Sequence, residues 1–264
     1  MTAASSAADL SSDNVFVHQL LAGRDVANPA AARTKAEQTV FSTGKMMQNY
    51  MYLVGDPETR ECLVFDGAYD PEGIDAEAGR LGYKVVGYVA THYHYDHIGR
   101  KEATRSPPLP GMSWFVARGV PAYIHEAELE QAAQQTGVEA ASLTPVGDGQ
   151  RLRVGGVTLR LLHTPGHSPG SVVAVVADST GAERFAITGD TIFPGSCGRV
   201  DLPGSDIGAM YRSLQHKMVR LDDDLVLFPG HAYSGESSTV RREKREGLLR
   251  PGLSEAAWRR MMSQ

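Results

Sequence analysis

With 264 residues, 42% of them hydrophobic, the chain is long enough to bury the core of one large domain. Its 31 acidic residues outnumber its 26 basic ones, and no basic stretch interleaves with aromatic residues, so we expect no nucleic-acid partner. Cys62 and Cys197 are too few for a disulfide framework and form no paired metal motif. No run of about 18 apolar residues occurs, so no membrane span is expected.

The N-terminal segment has the composition of a disordered tail. Residues 1–13 are rich in Ala and Ser and contain two Asp but no Lys or Arg. Because the segment lacks the basic and apolar regions of a signal peptide, we expect a cytoplasmic protein. Residues 14–264 are predicted to form a single domain.

Strand and helix patterns follow one another along this domain. Apolar runs at 50–54 and 62–65, joined by a turn that contains Pro57, predict a hairpin. Further strands are predicted at 84–90, 121–125, 151–154, 157–162, 172–177, 184–188 and 225–228. Helices are predicted at 28–36, 70–82, 126–136 and 206–220. Strands in two blocks, each followed by helices, indicate two sheets packed face to face with helices outside.

The most informative segment directly follows the strand predicted at 84–90. Within six positions it contains three imidazoles and one carboxylate: His92, His94, Asp96 and His97. Imidazole and carboxylate ligands suit Zn, Fe, Mn and similar ions. A histidine cluster on a solvated loop is the alternative, and further candidates downstream make it the weaker interpretation.

Three more ligand candidates each follow a glycine at the end of a predicted strand: His167, Asp190 and His231. Glycine adopts backbone angles that other residues avoid, so the chain can turn sharply there and project the next side chain into a shared cleft. Seven ligands from four strand-end loops suffice for two metal ions that share one carboxylate.

The succession HxHxDH, GH, GD and GH resembles the metallo-β-lactamase superfamily, from about residue 48 onward. The resemblance implies an α/β fold over 14–264, an αββα sandwich of two mixed sheets with helices outside. It assigns the first metal to three histidines: His92, His94 and His167. It assigns the second metal to Asp96, His97 and His231, and it makes Asp190 the bridge.

The ligand set predicts metal-assisted hydrolysis. A metal ion with three protein ligands keeps a position for water and lowers the pKa of that water to about 7. Two ions about 3.5–4 Å apart can hold the resulting hydroxide and polarise a substrate carbonyl. We therefore predict two divalent ions, zinc with iron or manganese as alternatives, and Asp96 and Asp190 as the catalytic carboxylates beside a metal-bound hydroxide.

The stretch 189–204 is similar to hydrolases of the glyoxalase II type, which implies a thioester of hydroxyacylglutathione as substrate. In that family the basic residue at the position of Arg199 contacts glutathione, and a guanidinium fits a carboxylate well. A structural ion pair with Asp201 is an equal alternative for Arg199. Only about 33 residues follow His231, fewer than in the C-terminal extension of full-length glyoxalase II.

The C-terminal residues from His231 to Arg245 are similar instead to persulfide dioxygenases of the same superfamily. That resemblance implies a single Fe(II) on His92, His167 and Asp190, with Tyr233 contacting glutathione, and two histidines with one carboxylate suit Fe(II) oxygenases. The motifs around residues 91–99 and 190–193 are closer to the hydrolases. Thioester hydrolysis is therefore the main prediction, persulfide dioxygenation the alternative and a non-catalytic metal-binding module the third. The expected partner is a small, glutathione-linked molecule, and the oligomeric state is left open.

Overall fold

The computed structural model describes residues 10–102 and 107–262. Its named strands are β1 (Phe16–Leu21), β2 (Tyr50–Asp56), β3 (Glu61–Phe65), β4 (Lys84–Val89), β5 (Ala122–His125), β6 (Leu143–Val146), β7 (Arg151–Val154), β8 (Val157–His163), β9 (Val172–Ala177), β10 (Glu183–Gly189), β11 (Val226–Pro229) and β12 (Ser238–Thr239). Its α-helices are α1 (Lys35–Met47), α2 (Pro71–Arg80), α3 (Tyr95–Ile98), α4 (Gly111–Val116), α5 (Leu129–Thr136), α6 (Ile207–Arg212), α7 (Val240–Arg245) and α8 (Glu255–Met262).

The strands form two mixed sheets of six. The first has the order β1-β2-β3-β4-β5-β6, and the second has the order β12-β11-β10-β9-β8-β7. In the first sheet β3, β4, β5 and β6 run parallel, whereas β1, β2 and β3 are antiparallel. In the second sheet the pair β10–β11 is parallel and the other pairs are antiparallel.

Three hydrophobic layers hold the sheets and helices together. The layer between the sheets contains large buried side chains such as Phe65 and Phe228. Helices cover the outer face of the first sheet through residues such as Ile74 and Phe115, and Trp258 of α8 belongs to the layer over the second sheet. Each such side chain stabilises the fold by roughly 1.5–3 kcal/mol. The predicted αββα sandwich is confirmed.

The carboxyl ends of β3, β4, β10 and β11 meet at one edge of the sandwich, where hydrogen bonds join the two sheets. The Tyr50 amide donates to the Gly230 carbonyl at 2.8 Å, and the Val172 amide donates to the Thr91 carbonyl at 2.8 Å. Loops that follow these strands therefore come together at this edge. In open α/β sheets, ligands likewise bind beyond the carboxyl ends of the strands.

Several predicted boundaries need correction. Residues 1–9 of the predicted tail lie outside the described residues, but Leu10 packs against the core and the Ser11 hydroxyl donates to the Val17 carbonyl at 2.8 Å. The tail prediction therefore extended too far, since apolar Leu10 has a core to contact. The helix predicted at 28–36 is instead α1, which begins after Thr34, whose hydroxyl accepts from the Glu37 amide.

The second half of the predicted helix at 206–220 also differs. α6 ends at Arg212 and continues as a π-helical turn and a 3-10 turn as far as Arg220. Helix α4 lies where the sequence predicts no helix, because its tertiary contacts outweigh a proline-rich local sequence. Among the described residues, none of the helices has the length and apolar character that a membrane span requires.

Candidate metal centre

Three histidine nitrogens converge at the edge where the two sheets meet. Nε2 of His92 lies 3.1 Å from Nδ1 of His94, and Nε2 of His167 lies 2.9 Å from the same Nδ1 atom. Ligand atoms around a tetrahedral ion at 2.0–2.1 Å are about 3.3 Å apart. These three residues, called here the first triplet, therefore have the spacing of a metal site.

Asp96, His97 and His231 form a second triplet beside the first. Nε2 of His97 lies 3.3 Å from Nε2 of His231 and 3.4 Å from Oδ2 of Asp96. Nε2 of His231 lies 3.5 Å from the same carboxylate oxygen. All three side chains are buried, so their polar atoms have little water to bind.

Asp190 lies between the two triplets. Its Oδ2 is 3.3 Å from Nε2 of His167 and 3.4 Å from Nε2 of His231, and its Oδ1 is 3.5 Å from Nε2 of His97. The structure thus brings together all seven ligands that the sequence predicts, with Asp190 in the central position. Their roles in binding metal remain predictions.

Glycine is required where the ligand loops pass closest to one another. A Cβ atom at Gly230 would collide with Oδ1 of Asp190, and one at Gly189 would collide with Oγ1 of Thr91. Gly189 also has a φ of +47°, a left-handed conformation that favours glycine. The glycine before each of these ligands therefore makes room for the neighbouring loop.

The outer nitrogens of four histidines face oxygen atoms. Nδ1 of His167 lies 2.7 Å from the Arg199 carbonyl, and Nδ1 of His231 lies 2.7 Å from the Met47 carbonyl. A carbonyl can only accept, so both Nδ1 atoms carry a proton and both rings turn their Nε2 atoms toward the centre as the ligand atoms. Outer partners of this kind orient histidine ligands in metal sites.

Asp66 organises the other two histidines. Its carboxylate lies 2.9 Å from Nδ1 of His97 and accepts from the Thr91 hydroxyl at 2.6 Å. The Thr91 oxygen, having donated its proton, is left to accept from Nδ1 of His92 at 3.1 Å. One buried carboxylate therefore fixes the tautomers of a ligand in each triplet.

Burial and charge make the histidines of the centre unlike one another. Burial, followed by the neighbouring imidazoles, holds the pKa of His92 well below its usual range. Burial and His167 lower the pKa of His94 to about 4. Both rings are therefore neutral near pH 7 and present lone pairs, which is the form that metal ions bind.

His97 and Asp190 carry the charge of the centre. Burial opposes the ionisation of His97, but Asp96, Asp190 and Asp66 together raise its pKa to about 10. Burial likewise opposes the ionised form of Asp190, but His231 and His97 hold its pKa well below the usual range. A divalent cation would supply this positive charge instead, since metal binding displaces protons from ligands.

A buried oxygen without a partner is the observation that tests whether a metal ion fits. Oδ1 of Asp190 has no hydrogen-bond partner in the described part of the chain. A buried unsatisfied carboxylate oxygen costs more than about 1–3 kcal/mol. This oxygen lies 3.5 Å from Nε2 of His97, and His92 and His94 of the neighbouring triplet are neutral. The residues therefore fit a divalent ion, which would satisfy the oxygen and displace the proton of His97.

The sequence alone did not identify Asp66 or Asn49. Asn49 donates to Oδ2 of Asp96 at 3.1 Å, which holds that carboxylate toward His97. A signal for Asp66 existed, because it is the polar residue directly after the apolar strand β3, which is parallel to β4. Asn49 had no comparable signal, since it precedes its strand and contacts a residue far along the chain, Asp96.

A cleft of about 540 Å³ opens over the metal centre and is lined by His94 and His167 of the first triplet, Asp96 and His231 of the second, and Asp190. Arg199 and Tyr233, the predicted substrate contacts, both line it. Arg199 is exposed and pairs with Asp201, with two N–O distances of 2.9 Å. The predicted ion pair is therefore present, at a residue that also lines the cleft. Tyr233 stacks on the ring of His231 at a centroid distance of 4.6 Å. Contact of either residue with a substrate remains a prediction.

Comparison with known proteins identifies the family. Residues 44–231 match the model of the metallo-beta-lactamase superfamily, and the chain belongs to this superfamily. With the fold and both triplets in place, it is an enzyme of that class, and the triplets indicate divalent metal binding.

Two curated relatives illustrate the range of the family. The chain is 31% identical over 208 residues to "Persulfide dioxygenase ETHE1, mitochondrial" of Mus musculus, covering 78% of this chain and 71% of the relative. It is 29% identical over 223 residues to "Probable metallo-hydrolase YqgX" of Bacillus subtilis, covering 80% of this chain and 96% of the relative.

Two solved structures resemble the fold. ETHE1 from Myxococcus xanthus has a TM-score of 0.66 at 24% identity and covers 83% of this chain and 86% of its own. TTHA1623, solved in a di-iron-bound form, has a TM-score of 0.57 at 30% identity and covers 76% of this chain and 94% of its own.

Proposed function

We propose that this protein is a persulfide dioxygenase that uses one Fe(II) held by His92, His167 and Asp190. The observation that carries the proposal is this set of two histidines and one carboxylate beside the cleft, in a chain 31% identical to a persulfide dioxygenase. The relatives support this alternative better than the thioester hydrolysis that the sequence motifs favour.

The proposed reaction balances without any further oxidant. One persulfide anion, one O₂ and one water give one thiol, one sulfite and one proton. Both oxygen atoms of O₂ go to the outer sulfur, which is oxidised, and the S–S bond breaks to release the thiol. His92, His167 and Asp190 would hold the iron, which when bound would offer open positions for sulfur and O₂.

The residues of the chain orient the ligands and shape the cleft. The bond from Nδ1 of His167 to the Arg199 carbonyl, 2.7 Å long, fixes the direction of the Nε2 lone pair. Arg199, which lines the cleft, therefore also orients a metal-ligand candidate through its backbone carbonyl. Phe193 and Cys197 are buried parts of this wall, which limits the access of water to the reacting sulfur.

Arg199 and Tyr233 are the proposed contacts for the thiol that carries the persulfide. Burial, followed by Asp190 and Asp96, raises the pKa of Tyr233 to about 12, so its hydroxyl stays protonated and able to donate near neutral pH. The Arg199–Asp201 pair is exposed and contributes little to stability. A substrate carboxylate, such as those of glutathione, can therefore replace Asp201 on the guanidinium.

Thioester hydrolysis is the second candidate, and the complete second triplet favours it. A single-iron enzyme has no need of Asp96, His97 and His231 as ligands, yet all three are buried and aligned toward one point. Two ions could then hold a hydroxide between them. The di-iron form of TTHA1623 and the name of the Bacillus subtilis relative support this candidate.

One pair of measurements separates the candidates. The protein is purified without added metal, its metal content is measured, and it is assayed for oxygen uptake with glutathione persulfide and for hydrolysis of S-lactoylglutathione. The proposal predicts one iron per chain and persulfide-dependent oxygen uptake with release of sulfite. Two metal ions per chain, thioester hydrolysis and no oxygen uptake would establish the second candidate instead.

A further inference from the structure

Gln135, near the end of α5, lines the cleft with an amide whose orientation is fixed. Its Nε2 donates to the carbonyl oxygens of Tyr93 at 2.5 Å and of Gly99 at 3.2 Å. A carbonyl only accepts, so the opposite orientation would place two oxygens against the amide oxygen. The NH₂ group therefore faces these carbonyls.

Oε1 of Gln135 is left free to accept a hydrogen bond. No described residue donates to this oxygen, and the oxygen is not fully buried. Because Gln135 is half-buried and lines the cleft, a molecule in the cleft can reach this oxygen.

The other polar side chains of the cleft differ from Gln135 in what they can bind. The described residues that line the cleft include hydroxyls, which both donate and accept, and the Arg199 guanidinium, which only donates. Among the described residues that line the cleft, and apart from the metal-ligand candidates, Gln135 is the one with a free polar side-chain atom that can only accept a hydrogen bond. A group that meets it must carry an N–H or O–H donor.

We propose that Oε1 of Gln135 is a substrate subsite that accepts a hydrogen bond from an amide N–H of the thiol carrier whose sulfur reaches the metal centre. The favoured substrates are thus small thiols that carry an amide N–H, as in cysteine peptides and cysteamine amides. The inference rests on the proposed function for the identity of the sulfur group.

Gln135 also connects this subsite to the metal centre. Tyr93, whose carbonyl it binds, lies between the ligands His92 and His94. A carrier that bonds to Oε1 therefore contacts the same side chain that holds the ligand segment. Loss of Gln135 would disturb ligand position as well as substrate binding, and the experiment must separate the two effects.

A double-mutant cycle between side chain and ligand separates them. The probes are N-acetylcysteamine and its N-methyl derivative, which lacks the amide N–H, and their Kd values are measured calorimetrically on the metal-containing protein. We expect the unaltered protein to bind N-acetylcysteamine about 2- to 10-fold more tightly than the derivative. In Gln135→Leu this ratio should fall to about 1, even if the variant binds both probes more weakly.

Gln134→Leu is the matched control, because Gln134 is exposed on the same helix, and it should preserve the ratio. If the leucine variant fails to fold, Gln135→Met, which keeps the length of the side chain, gives the same readout. A ratio in either Gln135 variant equal to that of the unaltered protein would overturn the subsite. Because binding of an unreactive thiol needs no turnover, absent oxygen uptake with an intact ratio would refute only the dioxygenase proposal.

Discussion

The two ligand triplets of the metal centre differ in how completely the protein holds them. In the second triplet every ligand is buried and held by a hydrogen-bond partner outside the triplet, as follows: Asn49 for Asp96, Asp66 for His97 and the Met47 carbonyl for His231. In the first triplet His92 and His167 are held in this way, but His94 is half-buried. Its outer nitrogen has no partner in the described part of the chain.

This difference concerns rigidity rather than access to the cleft. Both triplets reach the cleft, the first through His94 and His167 and the second through Asp96 and His231, but the first has the less constrained ligand. Outer partners fix ligand geometry and raise metal affinity, so the second triplet is the more rigid of the two. Whether that rigidity holds a second ion or only orders the carboxylates beside one iron is what distinguishes hydrolysis from dioxygenation.

The largest effect is expected from Asp190→Ala, because this carboxylate contacts both triplets. Metal content should fall and activity should decrease by more than the roughly 10- to 100-fold that loss of an outer partner costs. Metal analysis and steady-state kinetics measure both quantities. Asp201→Ala, an exposed change in the nearby loop, should keep its metal. Normal metal content in Asp190→Ala would refute the central role of this residue.

Next in size is the contrast between His167→Ala and His231→Ala, one ligand from each triplet. With a single iron on His92, His167 and Asp190, His167→Ala should abolish iron binding and oxygen uptake. His231→Ala should retain most of the iron with a smaller loss of activity. Iron content and oxygen uptake of the two variants are compared at equal protein concentration. Equal and complete losses in both would indicate a two-metal enzyme.

Asp66→Asn should have a smaller effect that reaches both triplets, since Asp66 bonds to His97 directly and to His92 through Thr91. Metal affinity should fall roughly 10- to 100-fold while the fold is preserved. Competition with a chelator measures the affinity. Asp178→Asn, a buried carboxylate that caps the turn after β9, is the matched control. An equal loss of metal in both variants would show a general effect on stability.

The smallest predicted effect on the metal centre concerns Glu128, which acts on stability and supports the loop of the first triplet by accepting from the Gly170 amide at 2.8 Å. Burial raises the pKa of Glu128 from 4.5 to about 7. The folded protein therefore holds this proton more tightly than the unfolded chain. Its contribution to stability is complete below about pH 4.5 and is lost as the pH rises to about 7, by up to about 3 kcal/mol.

Glu128→Gln removes this ionisation, so the variant should gain stability relative to the unaltered protein as the pH rises. Thermal unfolding at pH 5 and pH 8 measures the change. The Tm of the variant minus that of the unaltered protein should be more positive at pH 8. A difference that is the same at both values would contradict the raised pKa of Glu128.

Much of the fold followed from the sequence because its signals are local. Alternating strands with glycine and proline turns predicted the 50–54 and 62–65 hairpin, which the structure has as β2 and β3. The αββα sandwich followed from the family resemblance and is confirmed. Helices α1 and α4 were misplaced or missed, because packing against the first sheet stabilises them more than local sequence does.

The sequence by itself determined which residues could bind metal. Histidine and aspartate after strand ends carry lone pairs and charge wherever the chain places them, and the spacing 92–97 keeps four of them together in any fold. The tertiary structure decided how these residues are used. Asp66, Asn49, Glu128 and Gln135 act through contacts between segments far apart in sequence, and only the folded arrangement of strands and helices creates those contacts. Orientation, tautomer and pKa depend on those neighbours and so could not be read from the sequence.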